Sequence, residues 1–231
     1  MKVLQQIDAD IIALQEVVRA EGNREHDQAE YIASELGFDF CLGENRKIAG
    51  GAYGNLLLSR FPLKQIRNHD ISVDGYERRG CLRVDIDLGD TTLHVFNVHL
   101  GTSFLERRQQ ARKLVSPEIL QNAELSGVRV LLGDLNEWTS GLASRLLHQH
   151  FQRAGSRTHM PSRTYPGVFP LLYLDRIYLD AAINVERLMV HRSRTALIAS
   201  DHLPVIADCE IAGPCLTADE SKCTATSIAG S

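Results

Sequence analysis

The sequence Ser200-Asp201-His202-Leu203-Pro204-Val205 places an acid and an imidazole side by side, directly before an apolar run. The apolar run predicts a strand, and neighbouring side chains of a strand point to opposite faces. Asp201 and His202 therefore share one site only if they lie in the loop that enters the strand, and such loops often carry catalytic groups. Alone, the hexapeptide is more typical of a solvated surface loop. The rest of the sequence decides between these interpretations.

The composition indicates one globular domain. The chain has 231 residues, of which 44% are hydrophobic, and this suffices for a substantial core. Its formal net charge of -4 gives no whole-chain attraction to a polyanion, although a local arginine-rich groove would still bind phosphates. The cysteines have no C-x-x-C spacing, and no apolar run is long enough for a membrane span. We therefore expect a reduced, cytoplasmic protein without a transmembrane segment, and a monomer.

Short predicted strands alternate with a few helices along residues 1–211, which we interpret as one domain. Period-two alternation is clearest at 80–88, and a helix is expected at 26–36 with Gly37 as its C-terminal cap. Residues 43–54 are glycine-rich and are predicted as a loop. The pattern favours an α/β sandwich, in which two packed sheets are flanked by helices. Residues 212–231 are small and polar and are expected to form a flexible tail.

Polar side chains recur where predicted strands end. Each has an ordinary explanation by itself, as a turn residue or a solvated carboxylate. Together they provide what hydrolysis of a phosphate ester needs, namely hard oxygen ligands for Mg²⁺, a base for water and donors for the phosphate oxygens. The clusters are Gln15-Glu16, Asn97-Val98-His99, Asp134-Leu135-Asn136, Leu174-Asp175-Arg176 and Asp201-His202.

The order of the motifs along the chain resembles the endonuclease/exonuclease/phosphatase superfamily, which includes deoxyribonucleases, neutral sphingomyelinases and abasic-site endonucleases. The resemblance implies a four-layer α/β sandwich with two mixed sheets. It also implies a metal-dependent hydrolase of phosphate ester bonds that uses Mg²⁺, with Mn²⁺ as the alternative ion. It covers about residues 8–211, through Leu14-Gln15-Glu16-Val17, Gly54-Asn55-Leu56-Leu57-Leu58-Ser59-Arg60, Arg79-Gly80, Asn97-Val98-His99-Leu100, Gly133-Asp134-Leu135-Asn136-Glu137-Trp138, Leu174-Asp175-Arg176-Ile177 and Ser200-Asp201-His202-Leu203-Pro204-Val205.

The resemblance also implies residue roles. His202 contacts the scissile phosphate, and Asp175 holds its tautomer, while the charge of a neighbouring carboxylate raises the pKa of an imidazole. Asp134 orients or deprotonates the attacking water, and Asn136 stabilises the pentacovalent phosphate. His99 lies near the leaving group. The implied metal-binding acids are Glu16 and Asp201, and the implied supporting phosphate-site residues are Asn55, Arg79 and Asn97.

One element of the superfamily pattern is missing at the start of the chain. Superfamily members open with a strand that ends in Asn, and this chain begins where the helix after that strand should finish. The sequence therefore predicts an N-terminally truncated domain that lacks a metal-site Asn. Loss of this interior strand would leave backbone groups unpaired.

The leading hypothesis is a Mg²⁺-dependent phosphodiesterase that attacks with an activated water, with nuclease activity as one form. The alternative is a phosphomonoesterase that acts on an inositol phosphate or a similar compound, or a phospholipid or GPI-anchor-type phosphoesterase. The substrate class therefore stays open between nucleic acid, phospholipid and inositol phosphate. A third hypothesis is a catalytically impaired phosphate-binding homologue, because of the missing strand. The loop at 159–172 precedes Asp175 and is either a pocket rim or an ordinary proline-rich surface loop.

Overall fold

A computed structural model describes residues 1–20, 27–139, 141–154, 163–211 and 226–230. In that part of the chain the helices are α1 (Lys2–Ile7), α2 (Gln28–Leu36), α3 (Phe104–Leu114), α4 (Leu142–Leu147) and α5 (Arg194–Ala199). The strands are β1 (Ile11–Ala20), β2 (Asp39–Ile48), β3 (Gly51–Ser59), β4 (Leu63–Asp70), β5 (Gly80–Asp87), β6 (Thr92–His99), β7 (Val128–Asp134), β8 (Gln152–Arg153), β9 (Asp175–Leu179), β10 (Ile183–Val190), β11 (Val205–Ile211) and β12 (Thr226–Gly230).

The strands form two six-stranded sheets that pack face to face. The first sheet has the order β10-β11-β12-β1-β3-β2, and the second has the order β4-β5-β6-β7-β9-β8. α2 packs on the outer face of the first sheet, and α3 and α4 pack on the outer face of the second. The predicted four-layer α/β sandwich with two mixed sheets is therefore confirmed.

The run Leu56-Leu57-Leu58 on β3 shows why the central strands are continuously apolar. Leu57 points into the core between the two sheets, whereas Leu56 and Leu58 pack towards α2. All three side chains are fully buried. Because both faces of this strand are covered, period-two alternation of polar and apolar residues disappears from the sequence.

The prediction of a loop at 43–54 is wrong. β2 continues to Ile48, and β3 begins at Gly51. A Cβ on Gly54 would overlap the carbonyl oxygen of Gly43, and a Cβ on Gly51 would overlap that of Arg19. These glycines therefore allow neighbouring strands to approach closely, which is the other meaning of glycine in a strand.

β12 corrects the prediction of a flexible tail at 212–231 for the stretch Thr226–Gly230. Its backbone lies inside the first sheet, parallel to β1 and antiparallel to β11. Residues 212–225 and 231 lie outside the described residues. Along Ile11–Ala13, β1 pairs with β3 on one side and with β12 on the other. The unpaired backbone expected beside this part of β1 is therefore not found, since β12 takes that position.

Two buried asparagines connect the sheets close to the polar strand ends. Asn97 on β6 donates from Nδ2 to the carbonyl oxygens of Leu14 at 3.0 Å and Leu56 at 2.9 Å, both in the first sheet. Asn55 on β3 donates from Nδ2 to the carbonyl oxygens of Gly80 and Asn97, each at 3.1 Å, in the second sheet. Buried polar groups are costly unless they are hydrogen-bonded. These bonds therefore select one position of the sheets relative to each other.

Replacing Asn97 with Ala should lower the free energy of unfolding by about 2–3 kcal/mol, because two buried carbonyl groups and the Gln15 amide each lose a partner. Urea unfolding followed by circular dichroism measures the change. The matched control is Asn68→Ala on β4, where an exposed amide donates to the carbonyl of Glu44. The control should lose about 1 kcal/mol or less. Equal losses in the two variants would contradict the bracing role of Asn97.

Candidate active site

Side chains from both sheets line a cavity of about 410 Å³. The second sheet contributes His99 at the end of β6 and Asp134 at the end of β7. The first sheet contributes Glu16 on β1, and the loop before β11 contributes Asp201 and His202. The structure thus brings polar clusters from distant parts of the sequence into one cavity. The remaining lining residues are Gln15, Arg79, Thr102, Asn136, Trp138, Tyr165, Leu174 and Ser200.

The end of β7 holds Asp134 in a defined orientation. Gly133 has φ +130, and a Cβ at this position would overlap the carbonyl oxygen of Val98, so a side chain would block the pairing of β7 with β6. Asn136 has φ 50 in the left-handed region, and its backbone N–H donates to Asp134 Oδ1 at 2.7 Å. Its Nδ2 donates to the carbonyl oxygen of Leu100 at 2.9 Å. The turn therefore fixes one carboxylate oxygen of Asp134 and leaves the other facing the imidazoles.

His202 is held by Asp175. The His202 Nδ1 atom lies 2.8 Å from Asp175 Oδ2, and its Nε2 atom lies 4.0 Å from Asp134 Oδ2. Burial by itself would lower the pKa of His202, but the hydrogen bond that its Nδ1–H donates to Asp175 and the negative charge of Asp175 outweigh burial and raise that pKa to about 9. His202 is therefore a cation at neutral pH, with its Nε2–H directed towards Asp134.

Asp134 is a proton acceptor, whereas His202 is a proton donor. Burial and, secondly, the negative charge of Asp175 raise the pKa of Asp134 to about 6, whereas the charge of His202 acts in the other direction. The side chain is 5% exposed. A carboxylate with a pKa close to neutral is suited to general base chemistry.

Arg79 determines which ring nitrogen of His99 carries the proton. The Arg79 Nη1 atom lies 3.0 Å from His99 Nδ1, and a guanidinium can only donate. His99 Nδ1 must therefore accept, which places the ring proton on Nε2, 3.5 Å from Asp134 Oδ2. Burial, followed by the positive charges of Arg79 and His202, lowers the pKa of His99 to about 3.

Glu16 projects from an irregularity in β1. The register between β1 and β3 shifts between Leu14 and Val17, and Glu16 has φ 60. Such a bulge redirects a side chain that a regular strand would place elsewhere. Burial, the negative charge of Glu16 and a hydrogen bond to that carboxylate raise the pKa of Tyr53 to about 12.

The supporting residues differ from the sequence prediction. Arg79 lines the cavity, but its Nη1 and Nη2 atoms contact His99 and Glu77. Asn55 and Asn97 are completely buried and do not belong to the cavity lining. Since their amide groups are used between the sheets, we correct their assignment from phosphate contact to bracing.

The comparison with known sequences decides the family. The pattern of the Endonuclease/Exonuclease/phosphatase family matches residues 1–202. The chain belongs to this family. The uncharacterized protein YbhP of Escherichia coli (strain K12) is 34% identical to it over 218 residues, which cover 87% of this chain and 83% of YbhP.

Several solved structures share the fold of this chain. An endonuclease/exonuclease/phosphatase from Beutenbergia cavernae DSM 12333 is 22% identical with a TM-score of 0.67, and the match covers 91% of this chain. The chain spans only 64% of that protein's length. The mannosyl-6-phosphatase Bt3783 of Bacteroides thetaiotaomicron VPI-5482 is 17% identical with a TM-score of 0.74, covering 90% of this chain and 88% of the phosphatase. At these identities the likeness establishes the fold alone.

The sequence analysis missed a buried ion pair between Arg176 and Glu137. Arg176 contacts Glu137 from Nη1 to Oε2 at 3.1 Å and from Nη2 to the backbone oxygen at 2.7 Å. Glu137 also accepts from the backbone N–H of Ser144 at 3.0 Å. The pair joins the turn after β7 to β9 and to α4. The only signal in the sequence was that Glu137 follows Asn136 and Arg176 follows Asp175.

The loop before β9 forms one wall of the cavity. The Tyr165 ring lies 4.9 Å from the His202 ring, at an angle of 45°. Two backbone bonds connect this loop to the segment around His202, from Leu203 N to Thr164 O at 3.0 Å and from Gly167 N to Asp201 O at 2.6 Å. The interpretation of the loop as a pocket rim therefore holds for residues 163–172, and residues 159–162 lie outside the described part of the chain.

Replacing Asp175 with Asn should lower the pKa of His202 from about 9 towards the ordinary value of 6.5, because the neutral amide stabilises the imidazolium less. NMR titration of the imidazole signals in EDTA measures this. A raised native pKa contributes stability that is complete below the unfolded pKa and is lost as the pH rises through the native pKa. The stability gap between the native chain and the variant should therefore shrink from pH 6.5 to about 9. The control Asp39→Asn, an exposed acid on β2, should leave the titration unchanged, and an unaltered titration in Asp175→Asn would contradict the assignment.

Proposed function

We propose that this protein is a metal-dependent phosphodiesterase that hydrolyses its substrate by attack of an activated water. The convergence of two imidazoles, those of His99 and His202, on Asp134 Oδ2 carries the proposal. Asp134 has a raised pKa, His202 has a raised pKa, and His99 has a lowered pKa. Groups whose surroundings drive their pKa values apart are typical of acid and base pairs in catalysis.

Asp134 is the proposed base for the attacking water. Its Oδ2 atom is 3.5 Å from His99 Nε2 and 4.0 Å from His202 Nε2. These separations exceed ordinary hydrogen bonds, so neither imidazole uses up the oxygen that would accept a proton. The backbone N–H of Asn136 orients the carboxylate through its other oxygen.

His202 and His99 are the proposed donors to the phosphate. His202 provides a positive charge and a proton on Nε2 that can move to the leaving oxygen. His99 provides a neutral Nε2–H, fixed by Arg79, for an oxygen of the phosphate. Asn136 retains a second amide proton beside the one given to Leu100, and this proton is its proposed donor to the phosphate in the transition state.

The donor set of the cavity fits a magnesium ion. Within the described residues, no group of three or more His, Cys, Asp or Glu side chains is placed to hold a metal ion by itself. Mg²⁺ is usually held by one or two carboxylates together with waters and substrate phosphates. Glu16 and Asp201 line the cavity, and so does Gln15, whose Oε1 atom is buried without a partner. These oxygens would hold Mg²⁺, or Mn²⁺, and the ion would neutralise charge that develops on the phosphate.

Arg79 favours a diester over a monoester substrate. A phosphate monoester carries more negative charge than a diester and calls for an additional free cation. In the described cavity lining, Arg79 is the single arginine or lysine, and its guanidinium already contacts His99 and Glu77. The mannosyl-6-phosphatase shares the fold, so the monoesterase alternative is kept as an arm of the experiment.

Asp134→Asn and His202→Ala should each lower kcat by about 10²–10⁴-fold, since each removes a proton-transfer group. The assay follows hydrolysis of bis-p-nitrophenyl phosphate with Mg²⁺, and EDTA should abolish the activity until Mg²⁺ is restored. Asp39→Asn is the matched control and should keep full activity. Circular dichroism should show that both site variants remain folded, and full activity in folded Asp134→Asn would contradict the proposal.

Parallel assays with p-nitrophenyl phosphate separate the remaining alternatives. Faster release from this monoester than from the diester would favour the phosphomonoesterase. No Mg²⁺-dependent turnover of nucleic acid, phospholipid or either synthetic ester by folded protein would favour the impaired phosphate-binding homologue.

A further inference from the structure

Exposed apolar side chains lie in the same chain segments that line the cavity. We call six of them the apolar rim, and their exposed fractions run from 56% for Phe104 to 86% for Ile198. Each segment that carries a rim residue also gives a residue to the cavity lining, namely Thr102, Trp138, Tyr165 or Ser200. The rim consists of Phe104, Leu105, Trp138, Val168, Phe169 and Ile198. Exposed apolar side chains that concentrate in the segments around one cavity are typical of a binding surface.

Arginines stand among the rim residues. The Arg108 guanidinium lies 5.7 Å from the centre of the Phe104 ring, and Arg192 donates from Nη2 to the carbonyl oxygen of Val168 at 3.0 Å. Both arginines belong to segments that carry the rim, although the chain as a whole has a net charge of -4. The rim therefore combines apolar side chains with local positive charge, which is the combination that binds an anionic membrane interface.

We propose that the apolar rim docks onto the surface of an anionic phospholipid bilayer and so presents the cavity to lipid headgroups. The choice of a bilayer over a single-stranded nucleic acid follows from the side chains. Bases stack on aromatic rings, but Leu105, Val168 and Ile198 are aliphatic and offer no such face. Aliphatic and aromatic side chains together suit the boundary between headgroups and acyl chains. In the described residues no helix is long and apolar enough to span a membrane.

The docking proposal rests on the proposed function for one point only, namely that a phosphodiester in the lipid headgroup is the substrate. Binding itself needs no turnover. The two parts can therefore fail separately, provided that binding is measured in EDTA and hydrolysis is measured on a small diester in solution.

Trp138 offers a direct test, because it is the single tryptophan of the chain and belongs to the rim. Its fluorescence is recorded in EDTA with vesicles that contain phosphatidylglycerol and with vesicles of phosphatidylcholine alone. We expect a blue shift with the anionic vesicles, quenching by lipids brominated on their acyl chains, and weaker binding to the neutral vesicles. Unchanged emission with the anionic vesicles would overturn the proposal.

Serine variants locate the surface. Leu105→Ser and Phe169→Ser should each weaken binding to anionic vesicles by about tenfold, since each removes a large apolar group from the interface. Ile66→Ser on β4 is the matched control, because Ile66 is 54% exposed but lies outside the rim, and it should bind normally. Equal weakening in all three variants would show that the rim is not the docking surface.

Two further readings complete the test. All three serine variants should retain hydrolysis of bis-p-nitrophenyl phosphate, so that loss of vesicle binding with intact hydrolysis supports docking. A shift of the Trp138 emission with a single-stranded oligonucleotide and none with vesicles would overturn the proposal in favour of nucleic acid. If vesicles bind and no ester is hydrolysed, the docking surface stands and the proposed function fails.

Discussion

The hydrogen bonds of Asn97 and Asn55 between the two sheets are the constraint on which the cavity depends. Glu16 belongs to the first sheet, whereas His99 and Asp134 belong to the second, so their separation is set by how the sheets pack. Apolar packing alone tolerates small sliding movements, because it has little directionality. Amide groups buried between the sheets tolerate none, since each displaced bond leaves a polar group without a partner. The hydrogen bonds of Asn97 and Asn55 therefore fix the relative position of the two sheets and, with it, the shape of the cavity.

Asp175 then acts on two groups of the cavity with a single charge. Burial is the larger cause of the raised pKa of Asp134, and the charge of Asp175 adds to it, while the hydrogen bond to Asp175 and its negative charge outweigh burial and raise the pKa of His202. The same carboxylate therefore helps to produce a cation and a proton acceptor side by side. One of its oxygens bonds His202, and the other, Oδ1, is buried without a partner. A buried acceptor without a partner lowers the stability of the folded state.

The sequence predicted the residues of the cavity better than their partners. Asp134, Asp175 and His202 were recognisable because acids and imidazoles at strand ends are rare enough to stand out, and their order matched a family. The pairing of Arg176 with Glu137 depends on contacts across 39 sequence positions, and local pattern contains no information on it. Gly51 and Gly54 were misinterpreted because glycine serves both loops and closely packed strands, and only the neighbouring backbone distinguishes these uses. β12 was missed because a small, polar segment has no strand pattern of its own.

The residues that stabilise the fold are separate from the residues of the apolar rim. The inter-sheet core and the helices on both outer faces bury the side chains that stabilise the sandwich. The rim side chains remain exposed, on α3, on α5 and in the loops after β7 and before β9, so they contribute little to stability and increase the risk of association. On a bilayer surface the same side chains would leave water, and the catalytic groups behind them would face the headgroup phosphates. Because stability and the proposed docking would use separate residues, changes in the rim would alter binding to a bilayer without disturbing the hydrogen bonds between the sheets or the charges of the cavity.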